Sequence, residues 1–390
     1  MKRKILLIVP INHGTIGLVS FNLYQALLNT PGIDVKVALV YEKTGGNISF
    51  GNSIVFSQKR LSGLNEQILI FRKVSWLRKI KKNYSPDITI STLFGCSTLN
   101  VLAKGSEVKI GIFHSPHQQT KLKGFLAYCL TYLNYKFVYP HLDKLFCVSH
   151  EVYNSIIDSF PQISLSKLDV VYNVHDIEKI KTLALEELNA DENKIFKGNV
   201  ILYCGRLDKN KAPDRLVRAF GERYKQFPPN SHIVFLGNDT DKMWNDLVKI
   251  ATKFGIGDRI HFLKSQSNPY KFMARSKVLV SSSYSEGLPG VLIESILLGT
   301  PVVTTNSSKG VWEILSCEND YSSNLENIFC ADNGVISSNL SDKDPTKYGQ
   351  DIANMSHALE YIFAHDLSHN HFFFKDKITP VNVVKKYLLK

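Results

Sequence analysis

A chain of 390 residues, 44% hydrophobic and 21% charged, can fill two buried cores and shows no fibrous, low-complexity or solenoid bias. Its formal charge of +12 fits nucleic acid, anionic lipid or a phosphorylated substrate equally well and selects none of them. Six scattered cysteines (Cys96, Cys129, Cys147, Cys204, Cys317 and Cys330) include no C-x-x-C pair, which reads as free thiols in a reducing compartment.

The chain starts with Met1–Lys4 and the apolar run Ile5–Val9, too short for a signal peptide and followed by a polar glycine loop, so a first strand is expected there. Further strands are expected at Val35–Val40, Ile88–Ser91, Val108–Phe113, Lys144–Val148 and Leu168–Val171, with amphipathic segments such as Val19–Leu28 and Val152–Phe160 between them. The pattern restarts at Val200–Tyr203, His232–Leu236, Ile260–Phe262, Val278–Ser281 and Pro301–Thr304. Strands that alternate with helices predict an α/β protein of two doubly wound, Rossmann-like domains. The expected division is 1–176, a linker over 177–197, 198–365, and a tail over 366–390 that packs back on the first domain. No run reaches the roughly 18 apolar residues of a membrane-spanning helix, so a cytoplasmic, at most peripheral, protein is expected.

Two segments have the composition of a membrane-facing surface. Phe71–Lys82 spaces Phe, Val, Leu and Ile near helical period among six cations. Leu122–Tyr139 is rich in Tyr, Phe and Leu and follows closely on His114. An ordinary surface helix and a core helix produce the same patterns, and no nucleic-acid motif accompanies the basic stripe.

Four later segments are candidates for chemistry. Val200–Tyr203 leads through Cys204 to Gly205, Arg206 and, five residues on, Lys211; two cations at the mouth of a sheet suit a departing diphosphate. Asp239-Thr240-Asp241 spells D-x-D but lies in a polar loop and reads as a turn, not a metal site. His365, His369 and His371 lack a second ligand cluster and are likewise not read as a metal site. In Ser281–Glu294 a buried strand ends and a helix opens behind Gly287, Leu288, Pro289 and Gly290. Open helix N–H groups at the carboxyl edge of a parallel sheet bind phosphate, and Glu286 and Glu294 flank the spot with acceptors for vicinal hydroxyls.

Over residues 170–315 these pieces resemble glycosyltransferase family 4, the retaining transferases of GT-B fold. The marks are Gly205–Lys211 (Gly-Arg-Leu-x-x-x-Lys), Glu286 to Glu294 (Glu-x7-Glu), Val170–Asn173, Phe235–Gly237, Ile260–Leu263 and Gly299–Val303. The resemblance implies two Rossmann-like domains facing across a cleft. It implies that Arg206 and Lys211 bind the donor diphosphate, with Gly205 at the turn. Glu286 would contact the transferred sugar and Glu294 the ribose, and the backbone of Gly287, Leu288, Pro289, Gly290, Val291 and Leu292 would receive phosphate oxygens. The base would lie near Gly237 and Leu263, and Asn173 would mark the domain junction.

In the first half the likeness is weaker. Pro10–Gly17, with Gly14 and Gly17, stands where the family has a glycine loop but lacks its adjacent glycine pair. His114 stands where the family has its active-site histidine, with His117 as a second candidate. The implied activity is transfer of a sugar from a nucleotide diphosphate, expected to be a UDP-sugar, to a lipid-linked glycan in bacterial surface-polysaccharide assembly. No cofactor or metal is required, nucleic acid is not an expected partner, and the inner face of the cytoplasmic membrane is a candidate surface. The alternatives are a nucleotide-sugar epimerase of the same architecture and a peripheral membrane or nucleic-acid-binding subunit without catalysis.

Overall fold

Ile5–Val9 contribute no accessible surface, as expected of a central parallel strand covered by helices on both faces. The computed structural model describes residues 2–42, 48–57, 64–116, 124–316, 321–367 and 372–388. The chain divides into two units, Met1–Asp176 with Asp376–Lys390, and Ile177–Lys375.

In the first unit β1 (Arg3–Ile11), β2 (Ile33–Tyr41), β3 (Ser53–Ser57), β4 (Ile88–Ser91), β5 (Val108–Phe113), β6 (Lys144–Cys147) and β7 (Leu168–Val170) form one parallel sheet in the order 3-2-1-4-5-6-7. The order reverses between β1 and β4, the place where open α/β sheets leave a crevice at their carboxyl edge. The tail helix Pro380–Tyr387 is capped by Thr379 and packs beside the helix Gly14–Leu28. Tyr387 meets Phe146 edge to face, and Lys386 pairs with Asp169 at 2.9 Å.

The second unit pairs β8 (Asn199–Cys204), β9 (Ser231–Leu236), β10 (Ile260–Lys264), β11 (Val278–Ser281), β12 (Val302–Thr305), β13 (Ile328–Ala331) and β14 (Gly334–Ser337) in the order 10-9-8-11-12-14-13. Here the order reverses between β8 and β11. Only β13 is antiparallel among the described strands, joined to β14 through Asp332 and Asn333. Residues 177–197, a helical-looking stretch expected to serve as a linker, form the helices Ile177–Ala184 and Ala190–Phe196 and group with the second unit. A capping box at Asn189 and Glu192 starts the later helix, and Glu192 also holds Lys271 at 2.9 Å.

Candidate functional site

Both switch points carry the segments that the sequence singles out. In the second unit, β8 delivers Gly205–Lys211 and β11 delivers Ser281–Gly290 side by side. Lys211 Nζ donates to Glu286 Oε1 at 2.5 Å, and the Ser283 hydroxyl donates to the same oxygen at 2.6 Å. Oε1 therefore carries both bonds, while Oε2 accepts none among the described residues. Arg206 is 59% exposed at its side chain and pairs with Asp208 at 3.0 Å. Asp208 also accepts from the Lys211 amide, so one buried carboxylate holds the Arg206 guanidinium and the main chain of Lys211.

At the end of β8, Lys211 and Glu286 meet directly, while Arg206 and Glu294 act on the neighbouring Tyr203 and Cys204 through their charge. The Cys204 thiol feels Glu294 and Lys211, and Tyr203 beside it feels Glu286 and Arg206. Burial pushes the Cys204 thiol up to about 12, so it stays protonated and inert.

Loop Ser282–Gly287 is held through its carbonyls. Ser282 O accepts from Arg215, Ser283 O from Thr305, Tyr284 O from Asn339, Ser285 O from Asn210 and Gly287 O from Ser308. Gly310 is required there, since a Cβ at that position would lie 2.1 Å from the Gly287 carbonyl oxygen. With these carbonyls turned into the protein, the chain enters the helix Gly290–Leu297 behind Pro289, and no side chain among the described residues caps it. First-turn amides without an intrahelical acceptor provide an anion site. None of these tethering residues was found by sequence reasoning, because each is an ordinary polar residue distant in the chain from the loop it holds.

Glu294, one turn into that helix, accepts from the Tyr270 hydroxyl at 3.3 Å. Burial raises its carboxyl from 4.5 to about 7, against the smaller opposite pull of the Tyr270 bond. A folded pKa above the unfolded one contributes stability that is complete below pH 4.5 and lost as the pH rises through about 7. Glu294→Gln is therefore expected to gain on wild type in urea midpoint between pH 4.5 and 8; an identical pH dependence in both proteins would contradict the assignment.

At the expected base-proximal position, Gly237 donates its amide to the Lys264 carbonyl at 2.9 Å, beside a bulge in β10 between Phe262 and Lys264. Leu263 lines a cavity of about 460 Å³ with Gln266, Ile195 and the Asn189–Glu192 cap.

In the first unit, Gly14 begins the helix after β1 with φ +66°, and Gly17 lies against the backbone of Asn12. His114 follows β5. Its ring bonds the Thr92 backbone, and burial lowers its pKa to about 4, so the imidazole is neutral at pH 7. Its buried Nε2 has no partner among the described residues, and the ring lines a cavity of about 10 Å³ with Thr92, Ser20 and Asn173, room for about one water. His117 lies outside the described residues.

The remaining sequence candidates separate cleanly. Asp239 accepts from the Met243 and Trp244 amides and starts the helix Trp244–Lys253, while Asp241 accepts from the Lys209 amide, so the D-x-D is turn chemistry. His365 stacks on Tyr361; His369 and His371 are outside the described residues. Within Leu64–Tyr84, Val74, Leu77 and Ile80 are buried in the first unit's core, and Lys81 is buried against Glu107 at 2.6 Å. That apolar face is occupied by protein, which leaves Phe71 as the segment's exposed large apolar residue. The helix Phe125–Phe137 behaves differently: Tyr135 stacks on Phe160 inside, while Phe125 (82% exposed), Leu126 (65%), Leu130, Leu133 and Phe137 (61%) face out. Among the described residues no helix is long and apolar enough to cross a membrane.

Two Rossmann-like units, with an open helix start at a switch point, have the architecture of the GT-B fold. Residues 186–321 match the family described as Glycosyl transferases group 1. An uncharacterized glycosyltransferase of Methanocaldococcus jannaschii is 28% identical over 300 residues, 75% of this chain and 73% of that one. A Campylobacter jejuni enzyme, N-acetylgalactosamine-N,N'-diacetylbacillosaminyl-diphospho-undecaprenol 4-alpha-N-acetylgalactosaminyltransferase, is 30% identical over 177 residues, 45% of each chain. In fold, the chain is similar to Anabaena HepE in complex with UDP and glucose, with a TM-score of 0.64 and 15% identity over 99% of this chain and 98% of that one.

Proposed function

We propose that this glycosyltransferase takes a sugar from a UDP-sugar and adds it, with retention at the anomeric carbon, to a polyprenyl-diphosphate-linked glycan at a membrane surface. The observation that carries this reading is the Lys211–Glu286 pair beside an uncapped helix start. It is supported by the UDP of the HepE structure and the diphospho-undecaprenol acceptor named for the Campylobacter relative.

In this reading Lys211 and Arg206 take the diphosphate, together with the amides of Gly287–Leu292. The open Oε2 of Glu286 accepts a hydroxyl of the donor sugar, Glu294 accepts from the ribose, and the base enters the space beside Gly237 and Leu263. His114, Asn173 and the Gly14–Gly17 turn serve the sugar and the acceptor. The acceptor hydroxyl attacks the anomeric carbon on the face the diphosphate leaves. The C–O bond to the diphosphate breaks, and the hydroxyl proton passes to the departing phosphate oxygen. The protein contributes orientation and leaving-group stabilisation.

Incubation with UDP-glucose, UDP-galactose, UDP-N-acetylglucosamine and UDP-N-acetylgalactosamine, each with an undecaprenyl-diphosphate glycan, tests this. An α-linked product by NMR from an α-configured donor is expected, and a β-linked product would exclude retention. The lipid surface is assigned to the outer face of Phe125–Phe137, a sequence without an acidic residue. Phe125→Glu/Leu126→Glu is expected to weaken co-sedimentation with phosphatidylglycerol vesicles about tenfold or more. Equal sedimentation of variant and wild type would refute that assignment.

A further inference from the structure

The most buried cation near the candidate site touches none of the charged residues just described. Arg215 lies in the helix Pro213–Glu222 with no accessible surface. Its Nη2 donates to Asp351 at 2.6 Å and to the Ser341 hydroxyl at 2.9 Å. Its Nη1 donates to the Asn339 side-chain oxygen at 2.8 Å and to the Ser282 carbonyl at 3.4 Å. The guanidinium carbon sits 4.5 Å from the centre of the Tyr284 ring.

Asp351 in turn accepts from the Ser338 hydroxyl and from the Leu340 and Ser341 amides, so its charge is fully engaged. Asn339 completes the path: its Nδ2 donates to the Tyr284 carbonyl at 2.7 Å. A buried ion pair is weak evidence for stability, because desolvation offsets most of its attraction. Such a pair does fix directions, and here the fixed directions lead to the loop that carries Glu286.

We propose that Arg215 and Asn339 are positioning residues for sugar transfer, holding Ser282–Ser285 so that Glu286 stands against Lys211. The inference rests on the reading of that loop as the donor site. Lysine cannot replace Arg215, since one ammonium cannot serve four acceptors in this planar arrangement and stack on Tyr284 as well. Asn339 offers the cleaner probe. Asn339→Asp keeps the oxygen that Arg215 bonds but replaces the donor facing the Tyr284 carbonyl with a second acceptor, so it cuts the tether and spares the ion pair.

The test compares wild type, Asn339→Asp and Lys211→Ala by amide exchange over residues 283–289, urea midpoint, and kcat and KM with the fastest of the four UDP-sugars. Asn339→Asp is expected to keep the urea midpoint, to exchange about tenfold faster in that segment alone, and to lose roughly tenfold to a hundredfold in kcat with little change in KM. Should Asn339→Asp fail to fold, Asn339→Ser removes the same donor and is judged by the same readings. Wild-type exchange or wild-type kcat in a folded variant would overturn the proposal. If Lys211→Ala is inactive while the Asn339 variant matches wild type, only this inference fails. If Lys211→Ala is fully active, the donor-site reading fails with it.

Discussion

Lys211→Ala is expected to lower kcat on the order of 100- to 1000-fold, the loss that follows removal of one preorganised charge-stabilising donor. The ammonium is the cation held closest to Glu286, at 2.5 Å, and its side chain is 25% exposed, so it can be reached by an incoming anion. It pairs with Glu286, and in the proposed reading it offsets charge on the leaving oxygen when a diphosphate is present. Stability should barely change, by about 1 kcal/mol or less, because the pair is only partly buried and Glu286 retains the Ser283 bond. A variant that unfolds in step with its loss of activity would assign Lys211 a structural part instead. Lys211→Arg is a poorer rescue than charge alone suggests, because a planar guanidinium does not reproduce an ammonium on a single carboxylate oxygen.

Gly237→Ala is the second large effect, and it acts on folding. Gly237 has φ +146°, and a Cβ there would stand 1.8 Å from the Gly205 carbonyl oxygen. Both are main chain at the ends of neighbouring parallel strands, β8 and β9, so no side chain can move aside. The backbone strain and the overlap together should cost about 3 kcal/mol or more, read as a lower urea midpoint. A displaced Gly205 also shifts Arg206, so UDP binding should weaken at temperatures where the variant is still folded. An alanine variant as stable as wild type would contradict the close approach.

The two doubly wound sheets are legible in the sequence because their central strands are unbroken runs of Val, Ile and Leu bounded by glycine turns. β3 is not, since Ser53–Ser57 is a short, partly buried edge strand with polar ends. The β13–β14 hairpin carried a readable signal, Asp332-Asn333-Gly334, which the sequence reading passed over. The charged residues of the site follow from spacing, because Gly-Arg-x4-Lys and Glu-x7-Glu stay close in the chain. Their supports do not: Arg215 and Asn339 meet Tyr284, and Asp351 meets Arg215, across separations that no local pattern records. Period was equally silent about burial in Phe71–Lys82, where an i, i+3 apolar stripe fits a lipid surface and a protein core alike. The core took that stripe, and Lys81 went inside with it because Glu107 and the carbonyls of Asn100 and Ala103 satisfy its ammonium.

In the proposed reading an anionic donor is gripped where Lys211 meets Glu286. Thermal unfolding of wild type and Lys211→Ala, each titrated with UDP, addresses this most directly, because a ligand that binds only the folded protein raises its midpoint with concentration. Wild type should rise steadily through the titration while Lys211→Ala stays near its ligand-free value. Equal rises in the two proteins would place the nucleotide elsewhere and contradict a donor site at Lys211.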